Sequence, residues 1–171
     1  MTTTVETRHA RFPEDHYNLA QLAWAYRDHL EQLGGAAAAA IDRFYPKASY
    51  AELIDALPQK HARPTGSILL AMMDGKPIGC GMIQALNTQD AEIKRVFIDR
   101  AAQGTGAGET LSRALIVQAR ADGYRRILLD TTAVSTPARK LYEKLGFEPR
   151  GPYSAMPEDV LDLFVFYELT L

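Results

Sequence analysis

The 171-residue sequence contains a single cysteine, Cys80, and carries almost no net charge. One cysteine excludes an internal disulfide bond and a cysteine-based metal cluster, so we expect Cys80 to be a small buried apolar residue. The formal net charge of −2 provides no global positive field to attract nucleic acid or an anionic membrane. A polyanionic ligand would therefore have to be bound by local dipoles.

Long apolar stretches are also missing. The longest strongly apolar stretch, residues 68–73, is too short to span a bilayer. The start, Met1-Thr2-Thr3-Thr4, lacks the pattern of a signal peptide, so we expect a cytoplasmic protein.

No metal is expected, because paired metal-ligand spacing is absent among the four histidines, which are His9, His16, His29 and His61. With 47% hydrophobic residues, the length suits one domain over residues 1–171.

The sequence is instead rich in glycine at one junction, Gln103-Gly104-Thr105-Gly106-Ala107-Gly108. This junction separates the strand-like Val96-Phe97-Ile98 from a helix-like segment at 109–121, so its N–H groups are suited to bind a pyrophosphate. A Walker P-loop would need a glycine at 103 and a lysine at 109, and a Rossmann turn would need the spacing G-x-G-x-x-G. Neither matches, whereas Q-x-x-G-x-G does. An ordinary glycine-rich turn is the alternative reading.

The order of strand and helix signals predicts a mixed α/β domain with an antiparallel meander followed by a strand-helix-strand crossover. Strands are predicted at 5–10, 67–73, 78–86, 91–98, 126–130, 147–150 and 161–169. Helices are predicted before Gly34, over 50–57 with an end at Pro58, over 109–121, and from Thr136 to Gly146. The alanine-rich residues 36–40 are interpreted as a mobile connector or the start of a short helix.

Two further motifs accompany the glycine junction, Ala91-Glu92-Ile93-Lys94-Arg95-Val96-Phe97-Ile98 before it and Leu141-Tyr142-Glu143-Lys144-Leu145-Gly146-Phe147 after it. The combination resembles the GNAT superfamily of acetyl-CoA-dependent N-acetyltransferases, closely over residues 67–150 and by strand order over most of the chain. The resemblance implies a GNAT fold, with a mixed, mostly antiparallel sheet of about six or seven strands flanked by about four helices.

The resemblance also implies where acetyl-CoA binds. Its pyrophosphate would lie on the amides of the turn formed by Gln103, Gly104, Thr105, Gly106, Ala107 and Gly108. Its pantetheine arm would pair like an additional strand with Val96, Phe97 and Ile98. Many members carry a cofactor-binding asparagine near residues 135–139, but no asparagine stands there, and Arg139 either reaches a CoA phosphate or lies in solvent.

Attack of an amine on a thioester needs a base for the ammonium, N–H donors for the oxyanion and an acid for the leaving thiolate. The backbone of residues 96–98 is the candidate donor. By resemblance, Tyr142 is the acid, although its helical spacing with Leu141 and Leu145 also suits a core tyrosine. Glu92 matches the general base of some histone-type members. It is otherwise a strand carboxylate paired with Lys94, and water or another residue is the base.

We therefore expect an enzyme that transfers acetyl from acetyl-CoA to the primary amine of a small molecule. Trp24, Asp42, Tyr45 and Tyr153 are the residues expected to frame the acceptor. Two alternatives remain open, a protein or peptide N-acetyltransferase and a non-catalytic acyl-CoA-binding regulatory module. The sequence leaves the acceptor, the acyl-chain preference and the oligomeric state open, with a homodimer as one option.

Overall fold

The computed structural model describes residues 4–171, and within them seven strands form one sheet. The expectation about a signal peptide rests mainly on residues 1–3, which lie outside the described part. The strands are β1 (Val5–His9), β2 (Ser67–Met73), β3 (Lys76–Ala85), β4 (Asp90–Ile98), β5 (Arg126–Thr132), β6 (Glu148–Arg150) and β7 (Phe164–Thr170).

The strands are arranged in the order β1-β2-β3-β4-β5-β7-β6. Within residues 4–171, every neighbouring pair is antiparallel except β4 and β5, which run parallel. A parallel neighbour requires a crossover connection, and a long helix after β4 supplies it. The predicted meander and crossover are both confirmed.

Six α-helices occur within the described residues. They are α1 (His16–Glu31), α2 (Gly35–Phe44), α3 (Lys47–Lys60), α4 (Ala107–Ala121), α5 (Thr136–Lys144) and α6 (Glu158–Leu161). One core packs α4 on the sheet through Leu111 and Leu115, and we call it the α4-side core. The other packs α1 and α3 through Leu19 and Leu57, and we call it the α1-side core. The sheet is therefore covered on both faces, as its apolar strands require.

The predicted fold class is confirmed, and the differences are local. Within residues 4–171 the structure has six helices where about four were expected, because residues 36–40 belong to the complete helix α2 and residues 158–161 form α6, where a loop and the first residue of the strand at 161–169 were predicted. Helix α3 runs three residues past the predicted end and includes Pro58. Pro58 cannot donate the helical hydrogen bond to the Ile54 carbonyl, so packing has to hold this last turn, and Leu57 beside it is fully buried.

The single cysteine is buried, as expected, with 1% of its surface exposed. Within residues 4–171, no helix combines the length and the apolar character needed to cross a membrane.

Behind α3, His61 is buried against the sheet. Its Nδ1 lies 2.9 Å from the Ile83 carbonyl oxygen, and its Nε2 has no hydrogen-bond partner within the described residues. A Cβ at Gly66 would lie 2.7 Å from the His61 carbonyl carbon, so only glycine allows this close approach. Burial lowers the pKa of His61 to about 4, so the imidazole is neutral in the folded protein at neutral pH.

This depressed pKa predicts a loss of stability in mild acid. Between pH 6.5 and 4 the unfolded chain binds a proton at His61 that the folded chain does not, so the free energy of unfolding falls as pH falls. The contribution reaches about 3 kcal/mol at the acid end of this range. Urea unfolding of the wild type and of His61→Gln at several pH values measures it. The variant should lose this part of the pH dependence, and an identical pH dependence in both proteins would contradict the assignment.

Candidate active site

The central feature of the sheet is an opening between β4 and β5. The two strands pair only at Asp90 with Arg126, Ala91 with Ile127, and Glu92 with Leu128. Beyond Glu92, β4 stays paired with β3 while β5 stays paired with β7 as far as Thr132, so the two strands diverge. The edge of β4 that faces the opening is therefore free of strand pairing, and an extended ligand can use its backbone groups.

A bulge in β4 lies along this opening. Lys94 pairs with Met82 of β3, whereas Phe97 pairs with Cys80, so the pairing register of the two strands shifts by one residue between these pairs. Arg95 lies at the shift and has φ of 52°, a left-handed conformation that is uncommon for a residue with a side chain. After the bulge, Val96 and Ile98 pack against the α4-side core, whereas Phe97 packs into the α1-side core.

The glycine turn follows the end of β4. Gly104 and Gly106 have φ of 80° and 83°, so both occupy conformations that favour glycine, and Gly106 is the N-cap of α4. The turn is braced from within, because the Thr105 hydroxyl donates to the Ala102 carbonyl at 2.6 Å and the Gln103 side chain donates to the Ile98 carbonyl at 3.5 Å.

Six successive backbone N–H groups of this turn, residues 104–109, have no acceptor within residues 4–171. They include the first N–H groups of the 15-residue helix α4, where the helix dipole is positive. The turn therefore fits a pyrophosphate through backbone donors and a helix N-terminus, without a lysine.

Glu109 carries a negative charge in the first turn of α4, but two cations neutralise it. Lys144 of α5 lies 2.5 Å from its Oε2, and Arg113 donates to its Oε1 at 2.8 Å. The hydrogen bond from Lys144, followed by that from Arg113, lowers the pKa of Glu109. Because the Glu109 carboxylate is paired with Lys144 and Arg113, its charge does not repel an anion bound at the turn.

Tyr142 of α5 is buried and packs against Phe147 and Tyr167, with ring centroids 5.6 and 6.3 Å away. Burial raises the pKa of Tyr142 above its usual range, and the nearby charge of Asp130 adds to the effect. The phenol therefore keeps its proton at all ordinary pH values and is available as a donor. Both predicted readings, a core tyrosine and an acid, are compatible with this environment.

Glu92 lies at the narrow end of the opening and is 5% exposed. Its Oε1 accepts from Gln84 at 2.8 Å and lies 3.5 Å from the Lys94 ammonium, while its Oε2 accepts from the Tyr153 hydroxyl at 2.5 Å. Tyr153 also contacts Asp130, at 3.3 Å. The predicted contact with Lys94 is confirmed, and the phenol joins two carboxylates that we call the Glu92–Tyr153–Asp130 group.

Asp130 is the member of this group that sequence reasoning missed. Burial raises its pKa, and the negative charge of Glu92 raises it further. Because its carboxyl has a raised pKa and shares the Tyr153 hydroxyl with Glu92, Asp130 is suited to hold or accept a proton. Its only sequence signal is an acidic residue directly after the buried strand residues Leu128 and Leu129.

The remaining predicted residues have mixed surroundings. Arg139 donates to the Ala133 carbonyl at 3.0 Å and to the Tyr167 hydroxyl at 3.4 Å, and its contact with a CoA phosphate stays a prediction. Of the residues expected to frame the acceptor, Trp24 packs edge-on against the Tyr50 ring at 4.8 Å.

Asp42 pairs with Arg27 at 2.8 Å and stabilises the junction of α1 and α2. Tyr45 lies beneath the Arg95 guanidinium, 5.6 Å from ring centroid to Cζ. Tyr45 and Tyr153 therefore contact residues of β4 beside the opening, whereas Trp24 and Asp42 have structural contacts on the α1 side.

Comparison with known proteins gives the family of this chain. The sequence pattern of the acetyltransferase (GNAT) family matches residues 16–147, well over half of the chain. The chain belongs to the acetyltransferase (GNAT) family. This confirms the prediction of an acetyl-CoA-dependent N-acetyltransferase, whereas the roles of individual residues stay predictions.

Three similar proteins illustrate the relationship. An IAA acetyltransferase from Azospirillum brasilense is 36% identical over 109 residues, which cover 63% of this chain and 71% of that protein. An N-acetylaspartate synthetase from Danio rerio is 34% identical over 93 residues, which cover 53% of this chain but only 33% of the synthetase. The crystal structure of PaiA N-acetyltransferase from Thermoplasma acidophilum in complex with coenzyme A has the same fold, with a TM-score of 0.75 and 16% identity over 98% of this chain and 99% of that one.

The backbone conformation of the glycine turn predicts a binding defect in Gly106→Ala. An alanine in this left-handed conformation costs about 1 kcal/mol, and relief of that strain would turn the amides away from their common direction. We expect about tenfold weaker CoA binding by calorimetry. Gly123→Ala is the matched control, because Gly123 has φ of 88° at the other end of α4 and open space around it. It should lose similar thermal stability and keep wild-type affinity; equal affinities in both variants would contradict the role of the turn.

Proposed function

We propose that the protein transfers the acetyl group of acetyl-CoA to the primary amine of a small molecule. The observation that carries this proposal is the opening between β4 and β5. It connects the unpaired amides of the glycine turn at its wide end with the Glu92–Tyr153–Asp130 group at its narrow end. A seat for the cofactor anion and a group that accepts the amine proton are the roles that this arrangement supports.

Acetyl-CoA supplies an activated acetyl thioester when it is bound. The amides of residues 104–109 bind the pyrophosphate, and the free edge of β4 from Val96 to Ile98 orients the pantetheine arm. An N–H group of the same segment is suited to bind the carbonyl oxygen. Thr105 and Gln103 hold the turn in shape through their bonds to Ala102 and Ile98.

Two groups move protons in this proposal. The Tyr142 hydroxyl is protonated and donates to the departing sulfur. Because both Glu92 oxygens already accept hydrogen bonds, the Glu92–Tyr153–Asp130 group takes the ammonium proton through a water molecule. The two carboxyl groups also attract the cationic amine before it loses its proton.

A small acceptor is favoured over a peptide because the site is narrow. The Tyr153 hydroxyl bridges Glu92 and Asp130 across the opening, and Tyr45 covers Arg95 from the α1 side. The similarity to a synthetase named for an N-acetylated amino acid also favours a small acceptor. A cytoplasmic location and a homodimer stay predictions.

A thiol-release assay with acetyl-CoA tests the proposal directly. We expect release of CoA in the presence of single amino acids, amines, polyamines or aminoglycosides, with one acetyl group transferred for each thiol released. Release with peptides alone would favour a peptide N-acetyltransferase. Binding of acetyl-CoA without any acceptor-dependent release would favour the non-catalytic module and contradict the proposal.

Tyr142→Phe tests the acid. The variant keeps the ring contacts to Phe147 and Tyr167, so acetyl-CoA affinity should stay within about twofold of wild type, while kcat should fall about 100-fold. Tyr124→Phe is the control, because it removes a hydroxyl that donates to the distant Thr65 carbonyl at 2.5 Å. An unchanged kcat for Tyr142→Phe, measured where chemistry limits the rate, would exclude Tyr142 as the acid.

A further inference from the structure

Arg95 is a buried arginine whose side chain has no hydrogen-bond acceptor among the described residues. It is 8% exposed, and its Nε is completely buried without a hydrogen bond. Within the described residues its guanidinium also has no ion pair. A buried guanidinium with an unpaired N–H is costly, because desolvation weakens its hydration and the Tyr45 ring against it offers no hydrogen-bond acceptor of the carboxylate kind.

The other buried arginine of the described residues, Arg27, is paired. The fully buried Arg27 donates to the Tyr45 carbonyl at 2.7 Å and pairs with Asp42 at 2.8 Å and Glu31 at 3.3 Å. Such bonds are what a structural buried arginine makes, and Arg95 has none of them. Its isolation therefore favours a ligand as its partner.

A surface hollow of about 690 Å³ near the start of β4 also contains arginines, but their charges are already neutralised. Arg126 pairs with Asp90 at 2.9 Å, and Arg150 pairs with Glu168 at 2.7 Å. An anion in this hollow would compete with those carboxylates, whereas an anion at Arg95 would not.

The position of Arg95 places it on the acceptor side of the opening. Its guanidinium lies over the Tyr45 ring, on the face of the sheet that carries α1. On the same face, Tyr26 of α1 packs on Phe97, two residues further along β4, with ring centroids 6.0 Å apart. Burial raises the pKa of Tyr26, and the charges of Arg95 and Asp130 both act on it. Arg95 thus lies three residues beyond Glu92 on β4, with its guanidinium on the α1 side of the sheet.

The cofactor does not account for Arg95. Val96 and Ile98 pack on the α4 side, where the glycine turn leads into α4, whereas the Arg95 side chain lies over Tyr45 on the α1 side. The left-handed backbone at Arg95, with φ of 52°, belongs to the bulge that separates these two directions.

We propose that Arg95 binds a carboxylate of the acceptor, so that the substrate class is small amines that carry a carboxylate, such as amino acids. The proposal rests on the proposed function and sharpens it. The acceptor amine lies towards Glu92 and Asp130, and its carboxylate takes a two-pronged hydrogen bond from the guanidinium. The ligand thereby satisfies the charge that the fold leaves unpaired.

Matched pairs of acceptors test this assignment, each pair being an amino acid and the amine that lacks its α-carboxylate. Suitable pairs are aspartate with β-alanine, phenylalanine with phenethylamine, methionine with 3-(methylthio)propylamine, and lysine with cadaverine. For wild type, kcat/KM of the amino acid should exceed that of its partner about 100-fold in at least one pair. In Arg95→Gln the ratio should fall below about 3, and in Arg95→Lys to about 10, because lysine keeps the charge but not the two-pronged bond.

The ratio of kcat/KM for two acceptors is measured on one enzyme preparation. Because the concentration of folded enzyme enters both values, a variant that is partly unfolded leaves the ratio unchanged. Arg43→Gln is the control, because Arg43 is half exposed and pairs with Asp159 away from β4. It should keep the wild-type ratio, and CoA affinity should be unchanged in Arg95→Gln.

Three results would overturn the assignment of Arg95. One is a wild-type ratio near 1 in every pair, and another is a ratio that survives in Arg95→Gln; both leave acetyl transfer to small amines intact. A loss of CoA affinity in Arg95→Gln would move Arg95 to the cofactor side. No acetylation of any small amine would instead overturn the proposed function, and this inference with it.

Discussion

The site depends on one constraint in the sheet, the early end of pairing between β4 and β5. Each strand has a second neighbour that holds it along its full length, β3 for β4 and β7 for β5, so the two can diverge after Glu92 without leaving the sheet. The divergence exposes a backbone edge inside a covered domain. An exposed edge normally invites aggregation, but here it lies between two helical layers and serves a ligand.

The bulge at Arg95 complements this opening. By adding one residue to β4, it lets Val96 and Ile98 pack on the α4 side while Arg95 and Phe97 lie on the α1 side. The same strand therefore presents apolar side chains towards the α4 side and a cation towards the α1 side. If the alternation of Ala91 and Ile93 had continued without the bulge, Arg95 would lie on the α4 side and Val96 on the α1 side.

Local signals predicted a large part of the fold and of the cofactor seat. The residues of β2 and the glycine turn could be read directly, because positive φ at Gly104 and Gly106 is a local property of the chain. The bond between Glu92 and Tyr153 could not, since 61 residues separate them and only the complete sheet brings them together. The isolation of Arg95 was equally hidden, because it follows from which partners the fold does not supply.

The central claim is that the free amides of residues 104–109 form the pyrophosphate seat. Titration of ¹⁵N-labelled protein with CoA, followed by amide NMR, tests it most directly. The account predicts large shifts and slowed hydrogen exchange for the amides of Gly104, Gly106 and Gly108, with Gly123 at the other end of α4 unchanged. Tight CoA binding that leaves the three turn amides unshifted and fast-exchanging would contradict it.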